Sequence, residues 1–507
     1  MNSKCLFVGN RSAVIQLDEE HCFTLDEPVS IFVNGTWVCD TVNVITSIWN
    51  LIPDSDVDIT IGTGSLAQHH RIHTKEESAT LNVLDFGAVG DGVHNDTNAI
   101  QAAIACCPEN GRVLIPKGTY STCPLFLKSH IRIELVKDAV LLLRTDRNEF
   151  PILPGMIQTF DEQDDLNFGS WEGNPLSSFA ALLTGIHVED VLVYGEGVLD
   201  GQGDLGDWWI QHKVKRGAFR PRMIFLNHCT HIDFQGITIR RSPSWNVHPY
   251  FSDDLGFYQL KISAPSNSPN TDGFDPESCS RVHVFGIHFS VGDDCIAIKS
   301  GKIYMGQRYK KSCSDLEIAH CLMENGHGGV TIGSEMAGGV HDVRIHHCMM
   351  VHTDRGLRVK TRRGRGKQGR IDRICMDHVI MDHVLVPLAV NSMYYCDPDG
   401  HSPYVQTREK LPVDDRTPSI GTIMMEHVKA DNAANVGYVL GLPEAPVEQL
   451  IMRDVSVHVN PSHEPMVCIM AEGIEPTGGR GLVLENVNQF DQELKVEGQV
   501  GDAVILK

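Results

Sequence analysis

One short strand pattern recurs through the middle of this chain and limits the folds that it can adopt. Apolar and polar side chains alternate over runs of about five to eight residues, which lie at 232–239, 258–262, 282–289, 316–323, 343–350 and 374–381. Successive runs begin about 24 to 34 residues apart, a period typical of β-solenoids. A β-sandwich is the alternative, but it gives no reason for one strand to repeat so regularly. We therefore predict an all-β chain wound into a parallel β-helix.

The first 78 residues show a different pattern. Short alternating stretches at 31–33, 37–39 and 57–61 indicate strands of a small β-sandwich. The polar segment 69–78 indicates a linker. We therefore predict a small N-terminal β-rich domain at 1–78, followed by a β-helix domain at 79–507.

A single helix is predicted near the start of the β-helix domain. Asp96 and Thr97 are suited to begin it, because Asp and Thr side chains can accept hydrogen bonds from the first turn. The stretch 97–107 then carries Ile100, Ala103 and Ile104 at helical spacing. We expect this apolar stripe to cover one open end of the stacked coils.

Composition and charge limit the partners of the chain. Its 507 residues are 42% hydrophobic and 21% charged, and no apolar run reaches the roughly 18 residues that a membrane span needs. The formal net charge of −22 argues against nucleic acid as a partner. An acidic substrate would therefore need a local basic patch. The sequence does not specify an oligomeric state.

Two features of the sequence predict a cytoplasmic location. The N-terminus lacks the apolar core and the small-residue cleavage site of a secretory signal. The 15 cysteines are odd in number and show no paired C-x-x-C spacing, so free buried thiols are favoured over disulfides or a zinc site.

Two aspartate clusters lie about one predicted coil apart. The first is Asn270-Thr271-Asp272 and the second is Gly292-Asp293-Asp294. Neighbouring coils stack about 4.8 Å apart, so this interval would bring three carboxylates to one wall. Paired carboxylates are what hydrolysis of a glycosidic bond needs. Adjacent side chains on a strand point to opposite faces, so both members of the second pair can face a cleft only where the backbone bends, as Gly292 would permit. Alternatively, one aspartate is exposed and the other satisfies a turn.

Two further motifs carry polar side chains that a substrate could contact. The glycines of Gly326-His327-Gly328 leave the imidazole accessible, although most histidines are structural and this chain has 25. Arg358 and Lys360 are two residues apart and would share one face of a strand, where they could bind a carboxylate. A solvated basic loop or an RNA-binding run are the alternatives. The acidic remainder of the chain and the absence of interleaved aromatics disfavour RNA.

Taken together, these motifs resemble those of the polygalacturonases and their pectin-degrading relatives, glycoside hydrolase family 28. The four motifs of the family stand in order as Asn270-Thr271-Asp272, Gly292-Asp293-Asp294, Gly326-His327-Gly328 and Arg358-Val359-Lys360. Val359 replaces an isoleucine of the family pattern, and we expect it to point inward. Supporting matches lie at 82–92, 197–203 and 208–209, and the resemblance covers about residues 81–460.

The resemblance implies a right-handed parallel β-helix whose cleft holds a galacturonide chain and whose reaction inverts the anomeric centre. Carried over by motif, Asp293 is the general acid, while Asp272 and Asp294 hold the attacking water. The reverse assignment within the Asp293/Asp294 pair stays open. His327 would support the acid or bind substrate.

The resemblance also implies how the substrate is held. Arg358 and Lys360 would pair with the carboxylate of a galacturonate, and Asn270 would orient the site. No metal and no organic cofactor is required. The implied partner is an acidic oligosaccharide or polysaccharide.

Exo action is the narrower prediction, and the chain is most like the bacterial exo-polygalacturonases. The prediction of exo action rests on the separate N-terminal domain, on the absence of a secretion signal and on extra loops such as 301–312. The alternatives are an endo-polygalacturonase, a rhamnogalacturonan or xylogalacturonan hydrolase, a pectate lyase, and a non-catalytic glycan-binding β-helix.

Overall fold

The first seven strands of the chain form two small antiparallel sheets. A computed structural model describes residues 2–158 and 165–507. Strand orders are β1-β2-β5 and β4-β3-β6-β7, and the two sheets share one hydrophobic core. The strands are β1 (Lys4–Val8), β2 (Ala13–Gln16), β3 (Thr24–Val33), β4 (Thr36–Asn43), β5 (Ile45–Ile48), β6 (Asp56–Ile61) and β7 (Gln68–His73). The strands predicted at 31–33, 37–39 and 57–61 are confirmed.

The predicted linker at 69–78 is wrong in its first half. β7 pairs with β6 from Gln68 to His73. Its side chains alternate, with Ile72 buried and the neighbouring polar residues exposed, so the polarity of this stretch belongs to an edge strand. Glu77 then binds Arg11 at 2.8 Å, which fastens the end of the segment to the N-terminal sheets. The division of the chain into domains at residue 78 stays a prediction.

The remaining strands wind into the predicted right-handed parallel β-helix. Its first strands are β8 (Thr80–Asn82), β9 (Asp91–Asn95), β10 (Gly111–Ile115), β11 (Gly118–Thr122), β12 (Leu125–Phe126), β13 (Ile131–Leu135), β14 (Ala139–Leu143), β15 (Ile152–Leu153), β16 (Met156–Gln158), β17 (Asp165–Asn167), β18 (Ser178–Phe179), β19 (Leu183–Ile186), β20 (Glu189–Gly195), β21 (Val198–Asp200), β22 (Ile224–Asn227), β23 (Thr230–Gln235) and β24 (Thr238–Arg240). The pairs β15–β18 and β16–β17 are antiparallel and belong to an insertion between coils.

The later coils contain the four sequence motifs. Their strands are β25 (Val247–Tyr250), β26 (Asp253–Tyr258), β27 (Lys261–Ser263), β28 (Ser280–Phe285), β29 (His288–Val291), β30 (Ile296–Ile298), β31 (Cys313–Ala319), β32 (Leu322–Asn325), β33 (Val330–Ile332), β34 (Val340–His346), β35 (Met349–Val351), β36 (Arg355–Lys360), β37 (Arg370–Asp382), β38 (Val386–Asn391), β39 (Ser419–Ile420), β40 (Thr422–Ala433), β41 (Asn435–Leu440), β42 (Val447–Val459), β43 (Arg480–Glu485), β44 (Val487–Glu497) and β45 (Val504–Leu506).

Most of the recurring runs of the sequence are two strands joined at a corner. The run 232–239 spans β23 and β24, and Gly236 lies between them at φ 77°. His320 occupies the same kind of corner between β31 and β32 at φ 53°. Such left-handed backbone turns the chain sharply, so one run contributes to two faces of the coil.

Helices are few in the described part of the chain. The helix α1 (Thr97–Cys106) buries Ile100, Ala103 and Ile104, as predicted. Asp96 precedes it, but its carboxylate accepts hydrogen bonds from the backbone of Val89 and Gly90 instead of capping the helix. The others are α2 (Ile303–Tyr309), α3 (Pro403–Gln406) and three short 3₁₀ turns at Gly64–Leu66, Val83–Phe86 and Arg147–Glu149. No helix in residues 2–158 and 165–507 is long and apolar enough to cross a membrane.

One face of the β-helix provides the floor of the site described below. It begins as β12-β19-β22-β25 and continues, through isolated bridges at Phe274, as β30-β33-β36-β38-β41-β43-β45. Ile296, Val330 and Leu357 point inward and are fully buried in the main core. The alternate residues therefore point outward from this face. All 15 cysteines are unpaired, as predicted, and most are buried, although Cys106 and Cys396 are exposed.

We predict that Arg363→Met strongly destabilises the fold. Arg363 and Glu444 form a buried ion pair, each with a side chain only 1% exposed, with hydrogen bonds of 2.6 and 2.9 Å. Removing the arginine leaves the Glu444 charge buried and unpaired, which costs about 3–5 kcal/mol. Urea unfolding should measure this loss. Arg370→Met, which breaks an exposed bidentate pair with Glu448, is the matched control and should cost less than about 1 kcal/mol. Equal losses would contradict the prediction.

Candidate active site

The stacking of two successive coils brings the three predicted aspartates together. A parallel bridge joins Phe274 to Ile296, and the amide of Gly273 donates to the carbonyl of Asp294 at 3.0 Å. This register places Asp272 beside Asp294. One carboxylate oxygen from each of Asp272, Asp293 and Asp294 lies within 4.8 Å of the others. The interval of one coil in the sequence therefore becomes a cluster of three carboxylates.

An irregular segment between β29 and β30 lets Asp293 and Asp294 reach the same cluster. Gly292 precedes them, and a Cβ atom there would lie 2.5 Å from the carbonyl oxygen of Ser268. Glycine is needed at this position for close approach of the backbone. The hydroxyl of Thr271 accepts a hydrogen bond from the Gly292 amide at 3.1 Å, so the first motif supports the second.

Charged neighbours give Asp294 and Asp272 different protonation states. Burial alone would raise the pKa of Asp294, but the charges of Lys360 and Arg358, at 2.9 and 3.1 Å, outweigh it and hold the pKa well below its usual range. Burial and the nearby charge of Asp293 raise the pKa of Asp272 well above its usual range. Near neutral pH, Asp294 is therefore ionised, while Asp272 tends to retain a proton.

His327 lies at the mouth of the cluster. Its side chain is half exposed, and Nδ1 is 3.5 Å from a carboxylate oxygen of Asp293. The interaction with Asp293 raises the pKa of the imidazole. A Cβ atom at Gly328 would lie 2.3 Å from the Thr331 hydroxyl and 2.9 Å from an Asp294 oxygen, so the glycine keeps the cluster compact.

Arg358 and Lys360 share the outward face of β36, as predicted, and Val359 points into the core. In this structure both cations bind Asp294. Lys360 lines the cleft, whereas Arg358 lies behind it against Met470. Their predicted contact with a substrate carboxylate stays a prediction. Asn270 also lines the cleft.

The cleft above the cluster has a volume of about 470 Å³. The sequence analysis missed several of its residues. Trp171 stacks between Phe219 and Trp245, with ring centroids 5.0 and 5.5 Å apart. Two charged side chains, Lys299 and Glu335, also line the cleft. Lys299 could have been predicted, because it lies an even number of residues after Asp293 and would share its face of the strand. No local pattern marks Trp171, Phe219 or Trp245.

The segment 165–176, here called the covering segment, lies over the outward face of the coils that precede Asp272. Asn167 donates to the Tyr250 hydroxyl at 2.6 Å, and Arg222 donates to the carbonyl of Ser170. Phe225 and Tyr250, on β22 and β25, are almost fully buried. The groove along this face is therefore closed on one side of the aspartate cluster.

A tight turn forms the tip of the covering segment. Trp171 and Asn174 exchange backbone hydrogen bonds, and both central residues have positive φ, 46° at Glu172 and 72° at Gly173. These values define a type I′ turn. The carbonyl of Gly173 accepts from the amide of Lys302 at 2.9 Å, so the tip is fastened to the loop that follows β30.

Comparison with known proteins is consistent with this fold and site. The family model described as glycosyl hydrolases family 28 matches residues 142–471, and a model described as rhamnogalacturonase A/epimerase, pectate lyase-like, matches 80–133. A probable polygalacturonase of Vitis vinifera is 30% identical over 417 residues, 80% of each chain. An endo-polygalacturonase of Pectobacterium carotovorum is 30% identical over 283 residues, 52% of this chain and 64% of its own.

Two solved structures share the fold. The exopolygalacturonase of Yersinia enterocolitica aligns with a TM-score of 0.70 at 17% identity, covering 100% of this chain and 98% of its own. That of Thermotoga maritima aligns with a TM-score of 0.65 at 23% identity, covering 83% and 92%. With the family model matched over most of the chain and the four motifs gathered at one cleft, the protein is an enzyme of glycosyl hydrolases family 28.

Proposed function

We propose that the enzyme hydrolyses α-1,4-galacturonosidic bonds in galacturonides by an inverting, exo-acting mechanism. The observation that carries this proposal is the cluster of three carboxylates beside two cations in one cleft. The names of the relatives, which include polygalacturonases, support the substrate class. The cations offer a local attraction for an acidic sugar in a chain whose net charge is −22.

The different environments of the aspartates support one assignment of roles. Asp294 is ionised, clamped by Arg358 and Lys360 and only 2% exposed, so it cannot donate a proton and is suited to hold water as a base. Burial and the charge of Asp293 favour a proton on Asp272, and an Asp293 oxygen lies within 4.8 Å of an Asp272 oxygen. Asp293 is the more exposed carboxylate, at 24%, and would deliver that proton to the leaving oxygen.

The closeness of the carboxylates requires a direct test of the stereochemistry. Typical inverting enzymes separate their two carboxyl groups by about 6.5–9.5 Å, and retaining enzymes by about 5–5.5 Å. The oxygens here lie within 4.8 Å of one another, which favours retention as the second candidate. The clamping of Asp294 disfavours its attack on the sugar and supports inversion. NMR of the first product should show the β-anomer, and an initial α-anomer would overturn inversion.

The covering segment supports exo action. It buries the floor of the coils that precede the aspartates, and its tip is bound to Lys302 in the loop that follows β30. A long polymer passing through the site would collide with it, whereas a chain end would fit. The same proposal places the enzyme in the cytoplasm, with short galacturonides as its substrates. The unpaired thiols are consistent with a cytoplasmic location.

We predict that Asp293→Asn lowers kcat on oligogalacturonides by about 10²–10⁴-fold, because an amide cannot supply the acid proton. Reducing-end assays should measure the loss, with thermal unfolding to confirm the fold. Asp382→Asn, at an exposed aspartate outside the cleft, is the control. Near wild-type turnover of a folded Asp293 variant would end this mechanism. Products that absorb as unsaturated uronides would indicate a lyase, and binding without turnover would indicate a glycan-binding protein.

We predict that Lys360→Met moves the acid limb of the kcat/KM–pH profile to higher pH. Asp294 must be ionised for activity, and Lys360 helps to hold its pKa below the usual range. Without that charge, burial raises the pKa of Asp294, so protonation and loss of activity begin at a higher pH. Lys311→Met, which removes a lysine bound to Asp253, should leave the profile unchanged. An unmoved acid limb would show that Asp294 is not the base.

We predict that Gly173→Val opens the closed side of the cleft. A Cβ atom at Gly173 would lie 2.8 Å from Glu335 and from the Lys302 amide, so the turn must move away from the wall. Wild-type enzyme should release monomer from polygalacturonate from the start, and the variant should add a ladder of oligomers. Gly35→Val is the matched control, because it strains a similar turn that has open space around it. A ladder from the wild-type enzyme would overturn exo action.

A further inference from the structure

Lys299 and Glu335 form an ion pair on the floor of the cleft beside the covering segment. Lys299 follows β30, and its ammonium lies 3.7 Å from a Glu335 carboxylate oxygen. Both residues line the cleft, and their side chains are 5% and 11% exposed. Glu335 lies directly beneath the turn, because a Cβ atom at Gly173 would come within 2.8 Å of its side chain. The pair therefore occupies the closed side of the cleft.

The ammonium of Lys299 has room for a further hydrogen-bond partner. Its contacts with Asp275 and Glu335 are 3.3 and 3.7 Å long, whereas Lys360 approaches Asp294 to 2.9 Å. Apart from this 3.3 Å contact with Lys299, neither oxygen of the buried Asp275 carboxylate has a hydrogen-bond partner among the residues that the structure describes. An ammonium carries three donors, so this lysine can bind a polar group that enters the cleft.

The charges of the pair select the kind of group that it binds. Burial alone would lower the pKa of Lys299, but the charges of Glu335 and Asp275 outweigh burial and raise this pKa. The charges of Lys299 and Lys302 in turn hold the pKa of Glu335 below its usual range. Both members are therefore ionised. An ionised Glu335 repels a second carboxylate but accepts hydrogen bonds from hydroxyls, to which Lys299 can donate. Sugar hydroxyls fit this pair, and a uronate carboxylate does not.

The position of the pair indicates which hydroxyls are bound. The Lys299 ammonium lies 4.8 Å from the ring centre of Trp245, which is only 3% exposed and stacked on Trp171, so the pair lies where the covering segment closes the cleft. In a 1,4-linked galacturonide only the residue at the non-reducing end has a free 4-hydroxyl, because every other 4-oxygen is in a glycosidic bond. A site at the closed end that binds this hydroxyl would recognise the chain terminus itself.

We propose that Lys299 and Glu335 bind the free 4-hydroxyl, together with its neighbouring 3-hydroxyl, of the galacturonate at the non-reducing end. This inference rests on the proposed exo-acting galacturonide hydrolysis. It adds two specificity-determining residues that lie outside the four family motifs. In this arrangement the covering segment prevents a chain from continuing past its terminal sugar, and the ion pair binds the hydroxyls of that sugar.

The test compares two trimers that differ at the terminal sugar. One is saturated trigalacturonate, and the other carries a 4,5-unsaturated residue at the non-reducing end and therefore lacks the 4-hydroxyl. Sites that bind a substrate hydroxyl discriminate strongly against analogues without it. We expect wild-type kcat/KM to favour the saturated trimer by about 100-fold or more. Lys299→Met and Glu335→Gln should lower kcat/KM for the saturated trimer and bring the ratio towards one.

Controls separate recognition from a general effect of charge. Lys311→Met and Glu317→Gln remove ion-paired charges outside the cleft and should keep the wild-type ratio. If the pair only tunes the aspartate cluster, both cleft variants will slow the two trimers equally and the ratio will persist, which overturns the proposal. Thermal unfolding checks each variant, and Glu335→Gln carries the test if Lys299→Met does not fold.

Three further outcomes are also decisive. Equal wild-type rates on the two trimers would overturn recognition of the 4-hydroxyl, while exo hydrolysis would stand. A trimer reduced to the alditol at its other end should behave like the saturated trimer. If the enzyme discriminated against the reduced trimer and not against the unsaturated trimer, recognition of the non-reducing end would be overturned. Failure of the wild-type enzyme to cleave saturated trigalacturonate would contradict the proposed function itself.

Discussion

The parallel register of successive coils is the constraint on which the site depends. Backbone hydrogen bonds join Gly273 to Asp294 and Cys295 to Gly328, with donor–acceptor distances of 3.0 and 2.8 Å. Each bond fixes the position of one coil relative to the next. Residues that are one coil apart in sequence therefore become neighbours in space, and a slip of one residue would turn the floor side chains to the opposite face. The aspartate cluster is a direct product of this register.

Burial and charge then give chemically equal side chains different tasks. Asp294 is enclosed but bound by Lys360 and Arg358, so it stays ionised. Asp272 is enclosed near a carboxylate and tends to keep a proton. Of the three carboxylates, Asp293 is the most exposed to the cleft. The two cations therefore set the charge of the cluster. Their contribution to the binding of an acidic sugar is a separate role.

The covering segment converts an open groove into a cleft with one closed side. Trp171 stacks on Trp245, and the turn at Gly173 binds Lys302 in the loop that follows β30. Both contacts of the covering segment join residues that are far apart in sequence. The β-helix floor supplies the chemistry, while an insertion between coils decides which part of a polymer can reach it. Lys299 and Glu335 lie where these two parts meet.

The approximate coil period and the two sides of β36 could be predicted from local alternation and from the repeat. The meeting of Asp272 with Asp293 and Asp294 could be predicted from their separation of about one coil, together with the bend that Gly292 permits. The folded chain was needed to show that Arg358 and Lys360 bind Asp294, that 165–176 closes the cleft and that Lys299 meets Glu335. The ion contacts join side chains on or beside the stacked floor strands β30, β33 and β36, whereas the path of a long insertion sets the position of 165–176. No local hydrophobic period records where such a segment crosses the surface, since its position is set by packing against residues of other coils.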